Sequence, residues 1–71
     1  MMEKEMQEKY NRLNDRLIEL NALESNIGKL AFYLNENNIE DENCKRVLRE
    51  QLASMYRYRD ALQDRITNGY Y

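Results

Sequence analysis

Tyr56, Arg57, Tyr58 and Arg59 alternate ring and cation within the stretch ASMYRYRD, residues 53–60. Aromatic rings stack on bases and guanidinium groups grip phosphates, so these residue types could hold a nucleotide. Their spacing argues against one continuous patch. At about 100° per helical residue, Tyr56 and Tyr58 fall on opposite flanks, Arg57 points to solvent, and Arg59 points into an apolar seam. Lys45, Arg49 and Tyr56 form a tighter set, sharing one narrow sector of the same helix next to Arg59. Two cations beside a ring can take a phosphate and stack a base. From Asn43 onward six basic residues face three acidic ones, a local balance of +3 in a chain whose net charge is −2. The competing reading is that these charges are solvated and paired along their own helix, as in Arg46–Glu50 or Arg57–Asp60.

Arg59 needs an explanation in either reading, because an unpaired guanidinium in an apolar seam is costly. It either pairs with Glu24 on the facing helix and sets the register, or lines a polar pocket at an oligomer interface. Gly28 is a second anomaly. A mid-helix glycine costs about 1 kcal/mol relative to alanine, which implies a close approach by another helix or by a ligand; the helix contact is the commoner cause.

Other chemistry is excluded by what is missing. The chain of 71 residues has no histidine, one cysteine (Cys44) and two glycines. It therefore lacks the usual general base and the commonest zinc ligand, and cannot form a thiolate metal site, a glycine-rich phosphate loop or a Cys/His pair. We expect no catalysis, no metal and no cofactor. Net charge −2 and the absence of a helix-turn-helix pattern speak against DNA. No apolar run approaches a membrane span, and the opening MMEKEMQEKY lacks the apolar core of a signal peptide. A lone cysteine suits a reducing compartment, so the expected location is cytoplasmic.

The elements that must position these residues are helices. There is no proline and only one valine and one threonine, which disfavours strands. The spacing predicts a helix over about 2–35, a turn at 36–38, a helix over about 39–67 and a tail at 68–71. In the stretch NENNIEDEN, Asn37 or Asn38 can end the first helix, and Asn38 can N-cap the second with Asp41 at its third position. Gly69 is expected just past the second helix. The first helix carries a seam from Met6 through Tyr10, Leu13, Leu17, Leu20, Leu23, Ile27 and Leu30 to Leu34, at an average step of 3.5 residues, the coiled-coil period. The second runs Cys44, Leu48, Leu52, Met55, Arg59, Leu62, Ile66.

A short turn makes the two antiparallel, with facing residues whose numbers add to about 79. Residues before about Arg12 then have no partner in the chain. Met2, Met6 and Tyr10 would need another copy, another protein, or a fold-back near Asn11–Asn14. Ile18, Ala22, Ser25, Lys29 and Phe32 form a weaker stripe on the far face of the first helix. Two apolar faces are hard to satisfy in a lone hairpin. The expected fold is therefore all-α: a coiled-coil-like antiparallel two-helix hairpin assembling into a homo-oligomeric bundle. Tyr70 and Tyr71 are either a frayed tail or a hook across an interface.

Residues 9–66 resemble a group of short helical-hairpin phage proteins, including ones from crAss-like phages. The resemblance is carried by LESNIGKLAFYL in the first half and by Leu48, Gln51, Leu52, Met55, Tyr58, Leu62, Arg65 and Ile66 in the second. More loosely, the architecture is similar to the helical sponge proteins with which phages sequester cyclic nucleotide signals. That likeness implies a small oligomer with ligand sites between subunits that withholds a nucleotide immune messenger; it assigns no binding residue. The ligand-binding candidates, Lys45, Arg49, Tyr56, Arg57, Tyr58 and Arg59, come from chemistry and helical geometry alone. The alternatives are an inhibitor or adaptor that binds a host defence protein through the Ile18–Phe32 stripe, and a structural coiled-coil module.

Overall fold

The structure is a computed structural model that describes residues 2–71, and side chains from residue 3 onward. It consists of two helices, α1 (Met2–Glu36) and α2 (Glu42–Thr67), folded back on each other as an antiparallel hairpin. The molecule measures 60 × 16 × 14 Å. At about 1.5 Å per residue, α1 is long enough to run nearly its whole length, and α2 covers only part of it.

α1 is a single uninterrupted helix, so there is no fold-back at Asn11–Asn14. Its first three turns project beyond α2, leaving Met6 and Tyr10 mostly exposed. The Met2 side chain, expected to continue that pattern, lies outside the described residues.

The start of α2 differs from expectation. Asp41, not Asn38, is the N-cap: its carboxylate accepts from the backbone N–H groups of Asn43 (2.9 Å) and Cys44 (3.2 Å). The helix thus begins at Glu42, three residues late, because an aspartate can satisfy two orphan N–H groups and its charge also suits the positive end of the helix. Asn37 instead closes α1, its side-chain amide donating to the Tyr33 carbonyl at 2.9 Å.

The other end of α2 forms as expected. Gly69 takes φ 75°, a left-handed conformation that costs a residue with a side chain. The Tyr70 N–H donates to the Arg65 carbonyl (2.7 Å) and the Gly69 N–H to that of Ile66 (3.3 Å), the paired bonds of a Schellman stop. The tail then folds onto its own chain. Arg16 Nη1 donates to the Tyr71 backbone oxygen at 3.5 Å, and Tyr71 borders an apolar groove with Met6, Tyr10 and Leu13. Tyr71 thus lies against its own α1, while the Tyr70 ring stays exposed.

The core is thin. Among the described residues only Ile27 and Leu62 are buried hydrophobics, Leu62 completely, while Ile18 and Phe32 stay 60% and 66% exposed. Burial stabilises by roughly 25 cal/mol per Å² of apolar surface, so a hairpin that buries so few side chains gains little from its own packing.

Candidate functional site

The hairpin brings one half of the six candidate residues together and sends the rest elsewhere. Lys45, Arg49 and Tyr56 lie on one face of α2, one and then two turns apart, and line a single cavity of about 330 Å³. Its opposite wall is α1, through Ala31, Leu34 and Asn35, and Leu52 forms the floor. Leu34 and Lys45 meeting here agrees with the expected register. α1 therefore contributes three wall residues that the sequence reading did not assign to a site, although Leu34 was already placed opposite Lys45.

The charges in this cavity are uncompensated. Among the described residues neither Lys45 nor Arg49 forms an ion pair, whereas Arg16, Arg46 and Arg59 do. The Arg46–Glu50 pair, at 3.0 Å, forms as expected and lies outside the cavity.

Arg59 sits at the edge of the group. Its guanidinium lies 4.9 Å from the centre of the Tyr56 ring, a cation–π distance, and donates to Asp60 Oδ1 at 3.0 Å. The expected pair with Glu24 does not form; Glu24 is exposed. An adjacent carboxylate and ring on the same helix satisfy the guanidinium at the edge of the seam, where it keeps access to water. The Arg57–Asp60 pair is absent for the same reason, and Arg57 donates instead to Ser54 Oγ at 3.1 Å, outside the cavity.

Tyr58 faces the other flank. Its hydroxyl donates to Glu19 Oε2 on α1 at 2.5 Å. The Glu19 carboxylate, by accepting that bond and by its charge, holds the Tyr58 phenol above its ordinary range. Arg16 Nε lies 3.4 Å from the same carboxylate, so Arg16, Glu19 and Tyr58 form a polar bridge between the helices. The register predicted from the turn puts Tyr58 level with residue 21, and a long glutamate two residues away reaches it. Arg57 and Tyr58 thus belong to different surfaces from the basic cavity.

The arrangement offers two free cations, a ring whose one face is held by Arg59, and an apolar floor. It can take an anion with an attached planar group. No group of His, Cys, Asp or Glu able to hold a metal occurs among the described residues, and no helix there is long and apolar enough to cross a membrane.

The fold is a small all-helical hairpin with a cleft between its two helices. Residues 15–68 match the family model of Sequestin, which covers well over half of the chain: this protein belongs to the Sequestin family. No curated protein and no solved structure matches it.

Proposed function

We propose that this protein captures a nucleotide messenger stoichiometrically, without turning it over, in the cavity lined by Lys45, Arg49 and Tyr56. The observation that carries this reading is the pair of uncompensated cations beside an aromatic face within one cleft. Lys45 and Arg49 hold phosphate oxygens, Arg49 in bidentate fashion. Tyr56, with one face against Arg59, stacks a base on the other. The family name, which speaks of sequestration, supports capture, and on this reading the protein serves a phage in evading a nucleotide-signalled host defence.

The cleft is at the small end of ligand sites, which span roughly 300–1,000 Å³, and it opens to solvent. A cyclic dinucleotide or a cyclic ADP-ribose would fill it and still project outward. The protein works as a homo-oligomer whose neighbouring copy covers the projecting part.

Isothermal titration against cyclic dinucleotides and cyclic ADP-ribose isomers tests this reading. At least one should bind with a fixed stoichiometry, and Arg49→Ala should abolish the binding while leaving the oligomer unchanged. A protein that ignores every nucleotide but retains a host protein, losing it on Phe32→Glu, would instead be an inhibitor acting through the exposed stripe.

A further inference from the structure

α1 carries a second seam, on the face turned away from α2. Asn14, Ile18, Asn21, Ser25, Gly28 and Phe32 follow one another at steps of 4, 3, 4, 3 and 4, the alternation that keeps one face in line along a coiled coil. All six are exposed. None is charged, in a chain where 34% of residues are. A face shaped only by solvent would carry its share of Lys and Glu, as the outer side of α2 does.

Gly28 sharpens the point. A Cβ built there meets nothing within 4 Å, so packing inside the hairpin does not account for the glycine. It costs the helix about 1 kcal/mol, and the space it leaves faces outward. The open space at Gly28 is room that only another molecule can fill.

The chain exposes 5786 Å². A compact folded monomer of this mass exposes about 4,700 Å²; the excess follows from the elongated 60 × 16 × 14 Å hairpin, which leaves one side of α1 uncovered along its length.

We propose that a second copy of this chain packs antiparallel on this seam, each Ile18 seated over Gly28 of the other. The pairing closes on itself about a two-fold axis: Ile18 meets Gly28, Asn21 meets Ser25, and Asn14 meets Phe32, every one of the six facing another of the six. Such self-complementarity is what an isologous interface requires. Large groups meet small ones, and the Asn21 amide gains a hydroxyl partner. A parallel pairing would set Gly28 on Gly28 and Phe32 on Phe32, leaving a void at one level and a collision at the other. On the rim of the antiparallel seam Lys29 comes near Asp15 of the partner subunit. On the opposite rim the partner's Leu17 comes near Ala31, which already walls the basic cavity. The neighbouring copy thereby extends that wall, and this last step rests on reading the cavity as the ligand site.

The test uses ligand-free protein, so it does not depend on nucleotide capture. Gly28→Leu adds a side chain into open space in the hairpin; its helical circular dichroism should match or exceed the wild type. Its mass by native mass spectrometry should nonetheless fall to half the wild-type mass or less, with Ile18→Gln behaving alike. A Gly28→Leu protein that keeps the wild-type mass, or a wild type that is itself monomeric, overturns the pairing.

Discussion

Lys45 and Arg49 resemble the other exposed cations of α2 in sequence, and only their surroundings set them apart. Each lines a cleft whose lining holds no carboxylate and neither forms an ion pair, whereas Arg46 and Arg59 are occupied by Glu50 and Asp60. A charge-assisted hydrogen bond contributes about 1.5–3 kcal/mol, so Lys45→Ala should weaken nucleotide binding roughly ten- to a hundredfold. Arg57→Ala, changed outside the cleft, should leave the titration isotherm unaltered. Tyr58 gives a different prediction. Its folded-state pKa lies above the ordinary tyrosine value because of Glu19. The stability it contributes is therefore fully present below the unfolded value, near 10, and is lost as pH rises through the folded one. Melting temperatures of the wild type should fall more steeply above about pH 10 than those of Tyr58→Phe; parallel curves would show that the bond to Glu19 does not couple to folding. The division of the Tyr–Arg alternation into separate surfaces was legible from helical angles alone. The fate of Arg59 was not, because a long side chain chooses among partners within several ångströms and the neighbouring Asp60 was nearer than Glu24.

At the scale of elements, the two helices, the antiparallel turn and the glycine stop were readable because each rests on local chemistry: a 3.5-residue apolar step, a cluster of asparagines, a glycine after the last periodic residue. The N-cap was misplaced because NENNIEDEN contains several residues able to cap, and Asp41, which carries a charge that suits the helix start, prevails over the neutral Asn38. Asp41→Ala should cost about 1 kcal/mol, seen as a lower midpoint of urea unfolding, while Asn38→Ala should cost little. Gly69→Ala forces a side chain into the left-handed region and should cost roughly 1–2 kcal/mol. The fold of the tail onto α1 was not legible, since it depends on Arg16 reaching the Tyr71 backbone across the hairpin.

For the molecule as a whole, two buried side chains are a slender core, and each carries a large share of it. Leu62→Ala should destabilise by about 2–5 kcal/mol, the range for deleting a buried leucine side chain, enough to unfold a chain of this size at 25 °C. A calorimetric scan should then show no cooperative transition. The exposed apolar face of α1 was apparent as a stripe in the sequence, and the structure adds the open space at Gly28 that tells how closely something can approach it. The central claim is that the cleft of Lys45, Arg49 and Tyr56 captures a nucleotide. Native mass spectrometry with a panel of cyclic dinucleotides and cyclic ADP-ribose isomers tests it most directly. The account predicts one oligomer gaining a whole number of ligand masses from one or two panel members, and gaining none once Arg49 is alanine. An oligomer that passes through the entire panel without added mass would contradict it.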